Sequence, residues 1–105
     1  MMRDKKRYLL IRFSHSLGDV SEQFKRDFMA EMMRSMGAVD YALSNLRIIS
    51  VSNDSMVVRV NLAMLEKFVV SAALVRRISG TSIGFLTVRS SGSIAGLSKK
   101  ISSSS

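Results

Sequence analysis

The chain has 105 residues, 47% of them hydrophobic, with a net charge of +8, a pI of about 10.7 and no cysteine. Disulfides, thiolate metal sites and cysteine catalysis are thereby excluded, and the single histidine, His15, rules out a two-histidine nuclease or a histidine-rich metal site. No apolar run approaches the roughly 18 residues of a membrane span and no signal peptide is visible, so the expectation is one cytoplasmic domain over residues 1–101 with no membrane role, followed by a disordered serine tail at 102–105.

The N-terminal segment carries much of the charge. Arg3, Lys5, Lys6, Arg7 and Arg12 stand against Asp4 alone, and such clustering in a small domain favours a polyanionic partner such as nucleic acid. Residues 8–13 read as a strand, with Leu9, Ile11 and Phe13 on one face and Tyr8, Leu10 and Arg12 on the other. An arginine in mid-strand needs water or an anion, so the second face is expected to be open. After a loop at 14–20, Asp19 offers an N-cap with Glu22 at capping-box spacing. The helix it opens is expected to end at Gly37, with Phe24, Phe28, Met29, Met32, Met33 and Met36 as its core stripe.

Residues 38–44 fit either a linker or a short extra turn. Strands at 45–51 and 56–62 flank the turn Ser52-Asn53-Asp54-Ser55 and form a hairpin, with Met56, Val58, Val60 and Leu62 on one side and Val57, Arg59 and Asn61 on the other. A second helix is predicted over 63–78, with Met64, Leu65, Phe68, Val69, Ala72 and Val75 facing the core and Arg76-Arg77 and Gly80 closing it. Val70 and Leu74 fall opposite that stripe, with Ile78 at its flank, and these three are candidate contacts for a protein partner. The last strand, 83–90, is predicted to place Leu86 and Val88 inward and Phe85, Thr87 and Arg89 outward. It leaves through Ser91-Gly92-Ser93-Ile94, where Gly92 can adopt positive φ and a tight polar turn can present N–H groups to phosphate. Residues 95–101 suit a short last helix carrying Lys99 and Lys100.

The order β-α-β-β-α-β, with short connections and right-handed crossovers, predicts an α+β, ferredoxin-like sandwich. Both helices cover one face of a four-stranded antiparallel sheet of order 4-1-3-2. The open face then collects Tyr8, Arg12, Arg59, Phe85 and Arg89. The end of the last strand lies beside the start of the first, which brings Arg89, Ser91, Gly92, Ser93, Lys99 and Lys100 toward Arg3, Lys5, Lys6 and Arg7.

Catalytic chemistry is poorly represented. His15 is isolated, and Asp19, Glu22, Asp27 and Glu31 follow helical spacing and pair naturally with Lys25, Arg26 and Arg34. No Walker-type phosphate loop occurs, and the 56–62 strand lacks the aromatics with which an RNA-recognition motif stacks bases. Arginines without stacking partners suit phosphates and folded RNA shape.

Arg7-Tyr8-Leu9-Leu10, the amphipathic helix ending at Gly37, the strand Val57-Val58-Arg59-Val60 and the turn Ser91-Gly92-Ser93-Ile94 resemble the family of archaeal ribonuclease P protein component 2, over roughly residues 5–101. The last motif varies the family's usual Ser-Gly-Thr-Ile, and Ala95 stands where a basic residue often follows. The resemblance implies a non-catalytic subunit of the endoribonuclease that removes the 5′ leader of precursor tRNA. In it the RNA is the catalyst and requires Mg²⁺, the protein itself needs no cofactor, and the isolated protein is inactive. The implied partners are the ribonuclease P RNA, precursor tRNA indirectly, and a larger TIM-barrel-like protein subunit, with room for a homodimer inside a heterotetramer. Two other readings stand beside it: a regulatory or dimerisation module binding a small ligand, and, against the missing catalytic constellation, a nuclease in its own right.

Overall fold

The computed structural model describes residues 5–18, 21–94 and 96. The elements run β1 (Lys6–Phe13), α1 (Glu22–Met36), α2 (Ala38–Ser44), β2 (Arg47–Val51), β3 (Ser55–Asn61), a 3-10 turn (Leu62–Met64), α3 (Leu65–Leu74), the short strands β4 (Arg77–Ile78) and β5 (Thr81–Ser82), and β6 (Phe85–Ser91). The main sheet is antiparallel with order β2-β3-β1-β6, which is the expected 4-1-3-2 read from the other edge. The α+β, ferredoxin-like expectation therefore holds, with α2 and the β4–β5 hairpin added to it.

Strand alternation builds the core. Leu9, Ile11 and Phe13 from β1 meet Met56, Val58 and Val60 from β3, and all six are buried. Phe28, Met32 and Met36 of α1 and Phe68 and Ala72 of α3 close over them. Met33, expected in the same stripe, is 46% exposed, so the buried arc of α1 is narrower than its methionines suggest. The helix starts later than the capping-box spacing implied. Ser21 is the N-cap, its hydroxyl accepting from the Phe24 amide at 3.2 Å, while Asp19 lies outside the described residues. Gly37, at φ 92°, ends α1 and lets α2 begin at once, which resolves 38–44 as a helix.

The predicted second helix is cut short. It ends at Leu74, and Val75 turns extended (φ −69°, ψ 130°). Ser79 and Gly80, at φ 54° and 79°, make a two-residue turn of the primed kind between β4 and β5. The extended path sends both Val75 and Ile78 into the core, at 4% and 2% exposure. Ile78 is therefore removed from the expected partner surface. The hairpin is moored to α1: the Ser79 hydroxyl donates to Asp27 Oδ2, and Gln23 Nε2 donates to Oδ1 at 2.8 Å.

The last strand departs most from simple alternation. Its register shifts between Leu10 and Ile11, so that Ile11 pairs Thr87 while Leu10 pairs Arg89, and Val88 bulges between them. Phe85 turns inward, contrary to expectation, and stacks edge-on against Phe13 (5.5 Å between centroids) and Phe28 (5.2 Å). Leu86, expected inward, is 65% exposed. Beyond the bulge the parity is restored, and Arg89 returns to the open face beside Leu10. A second bulge, at Ile49, interrupts β2.

The Ser79 hydroxyl, followed by the Gln23 amide, holds the Asp27 carboxyl below its ordinary value of 3.8. A depressed carboxylate contributes stability above its unfolded pKa and loses it as pH falls through the folded value. Ser79→Ala is expected to move the Asp27 pKa upward, read by NMR titration. The stability gap between wild type and variant, from urea melts, is expected to be widest at neutral pH and to shrink below pH 3.8.

Candidate nucleic-acid interface

The pairing registers lay out the open face in rows across the strands. One row is Arg47, Arg59, Tyr8 and Ser91; the next is Ser50, Val57, Leu10 and Arg89; the third is Ser55, Arg12 and Leu86. Two features follow. Arg59 lies opposite Tyr8 and not opposite Arg12, which sits four residues further along β1, roughly 13 Å away. Arg47, which strand pattern alone did not single out, lies directly across from Arg59. Its parity relative to the buried-side neighbour Ile48 was the available signal, hidden because the Ile49 bulge breaks the alternation on which such a reading depends.

Charge is segregated between the two layers. The four main strands hold Lys6, Arg7, Arg12, Arg47, Arg59 and Arg89 and no Asp or Glu. None of these cations forms an ion pair with a described residue. The helical layer behaves oppositely. Glu22 pairs Lys25 at 3.2 Å, Glu31 pairs Arg34, and Asp40 pairs Lys67 between α2 and α3. Such exposed pairs contribute little to stability, but they neutralise their own layer. The Nε of Arg59 is buried with no hydrogen-bond partner among the described residues.

The turn after β6 is built by its serines. Ser91 is 8% exposed, and its hydroxyl accepts from the Ser93 amide at 3.3 Å. Ser93 in turn accepts from the Gly96 amide at 3.0 Å. Two backbone donors are thus spent inside the turn. Gly92 is not at positive φ. Its value lies in its bareness: Arg7 Nη1 sits 3.7 Å from where a Cβ would be, so the Arg7 guanidinium lies over this turn. Lys5 and Lys6 are exposed at the same end of the sheet, and Arg3, Lys99 and Lys100 lie outside the described residues. On the helical layer Val70 and Leu74 are 60% and 64% exposed, and α2 adds exposed Val39 and Leu43, whose shared face becomes visible only once 38–44 is a helix. Among the described residues no cluster of His, Asp and Glu could hold a metal ion, and no helix is long and apolar enough to cross a membrane.

A Cβ at Gly96 would lie 2.6 Å from the Ser91 hydroxyl. Gly96→Ala is therefore expected to break the Ser91–Ser93 bond and to cost about 1 kcal/mol or more in a thermal melt, with faster amide exchange at Ser93.

Comparison with known proteins bears on this arrangement. No curated protein sequence gives a significant match. Among solved structures the fold is similar to a chain in the cryo-EM structure of yeast ribonuclease MRP, with a TM-score of 0.69 and 12% identity, covering 99% of this chain and 94% of that one. At that identity the likeness speaks for the fold alone. The model of the Rpp14/Pop5 family matches residues 7–102, which takes in β1, the helical layer, the sheet and the serine turn. The chain belongs to the Rpp14/Pop5 family of ribonuclease P proteins.

Proposed function

We propose that the chain is a non-catalytic subunit of a ribonuclease P-type ribonucleoprotein, in which it supports the catalytic RNA during removal of the 5′ leader of precursor tRNA. The observation that carries this reading is the charge segregation. A sheet face with Arg12, Arg47, Arg59 and Arg89, and no carboxylate in its strands, is an electrostatic surface for a phosphate backbone. Tyr8, beside Arg59, is the one aromatic side chain in the rows of that face, so phosphate and shape contacts outweigh base stacking.

The mechanism is electrostatic. RNA helices repel one another, and arginines fixed on a rigid sheet replace diffuse counterions at chosen phosphates. Arg7 over the serine turn, with Lys5 and Lys6 beside it, extends the track along one end of the sheet. The chain contributes no reacting group; the RNA with its Mg²⁺ performs hydrolysis. The helical layer, with its three ion pairs among the described residues and Val70 and Leu74 exposed, meets a larger protein subunit, and a homodimer inside a heterotetramer is compatible with it.

Arg47→Ala, Arg59→Ala and Arg89→Ala are each expected to lower the log–log salt slope of RNA binding by roughly 0.7–0.9. Lys25→Ala, on the helical layer, is expected to leave the slope unchanged. Unaltered slopes in all three arginine variants would remove the sheet face from the RNA interface.

Reconstitution tests the assembly. Added with its partner subunit to a ribonuclease P RNA, the protein is expected to raise leader cleavage at low Mg²⁺. Leu74→Asp is expected to abolish co-purification with that partner while the RNA salt slope stays at the wild-type value. No gain in cleavage from the wild-type protein would favour the ligand-binding module instead.

A further inference from the structure

A cleft of about 390 Å³ opens where β1 ends, β6 begins and α3 gives way to the hairpin. It lies beyond the third row of the open face, at the far end of the sheet from the serine turn. Its volume falls within the roughly 300–1,000 Å³ usual for small-molecule sites. Phe13, Val75 and Phe85 form an apolar floor, Leu86 an exposed lip, and Arg12 and Arg76 line it from the sheet side and the helix side. No carboxylate lines it, and neither arginine is paired with a described residue.

Its walls are fixed. The Ser14 amide donates to the Gly84 carbonyl at 2.9 Å, and the Gly84 amide donates to the Ser14 hydroxyl at 2.9 Å. The Arg76 carbonyl accepts from Ile83 at 2.9 Å, tying the base of the hairpin to the start of β6. A rigid apolar floor between two unneutralised guanidinium groups calls for a ligand that is flat and apolar in its body and anionic at its edge. Guanidinium planes stack on bases and also bind phosphate through paired donors, which serves both halves of a nucleotide.

We propose that this cleft takes one unpaired RNA nucleotide, its base on Leu86 and the Phe13–Phe85 floor and its phosphate between Arg12 and Arg76. The inference rests on the RNA-scaffolding reading above and adds a local preference to it. The sheet face holds backbone without regard to pairing, whereas the cleft selects RNA in which a nucleotide leaves the stack. Leu86, apolar and exposed beside Arg12 in the register, then has a ligand to cover it.

The test uses the full chain and two RNA hairpins, one fully paired and one carrying a single bulged 2-aminopurine. The wild-type protein is expected to bind the bulged hairpin roughly tenfold more tightly, with a change in 2-aminopurine fluorescence. Arg76→Ala and Leu86→Ser, both at exposed positions, are expected to lose that preference and the fluorescence change while keeping wild-type affinity for the paired hairpin. Equal binding of both hairpins by the wild type, or a preference that survives both variants, overturns the inference and leaves the scaffolding reading intact. Binding of neither hairpin overturns both. Adenosine monophosphate is the third probe: if it binds and is lost in the same variants while the bulge gives no preference, the cleft belongs to a free nucleotide and the RNA assignment is wrong.

Discussion

One extra residue in the edge strand reconciles the two sides of this sheet. Phe85 must face inward to complete the aromatic cluster with Phe13 and Phe28, and Arg89 must face outward, because an unpaired guanidinium in that core would be prohibitively costly. Phe85 and Arg89 are four apart, so uninterrupted alternation would put them on the same face. The bulge at Val88 absorbs the conflict by shifting the register against Leu10 and Ile11.

A bulge in each edge strand has a further consequence. Edge strands with free backbone groups invite pairing with another chain, and bulged edges are poor templates for it. Interruptions at Ile49 in β2 and Val88 in β6 therefore weigh against self-association by sheet extension, the route expected of a dimerisation module. The exposed aliphatics on α2 and α3 give the helical layer apolar area to bury against a partner.

The distribution of charge has a cost in stability. Arg47 and Arg59 face each other across β2 and β3, and like charges directly opposite on a sheet are destabilising. The helical layer shows that this chain can pair its charges when nothing else requires them. Retaining a sheet of unneutralised cations makes sense where a polyanion relieves the repulsion on binding, and the buried Nε of Arg59, without a partner among the described residues, adds a desolvation cost on the same face.

Element order, sheet order and most of the core were legible in the sequence, because period-2 and period-3.6 patterns dictate which side chains can share a face and the connection lengths leave few topologies. The basic character was equally plain from composition, and the isolated His15 already spoke against a two-histidine site. Tertiary structure decided what depends on breaks in those periods. Local pattern cannot foresee that Ser79-Gly80 would end α3 early by offering β4 and β5 a tight turn, because the helical spacing of Val75 and Ile78 is equally well satisfied by an extended path into the core. Nor can it place Arg47 beside Arg59, or Arg76 across a cleft from Arg12, since these are meetings of distant segments set by register and crossover. Alternation settles which residues are able to face the core, and competition among bulky side chains for that core settles which of them do.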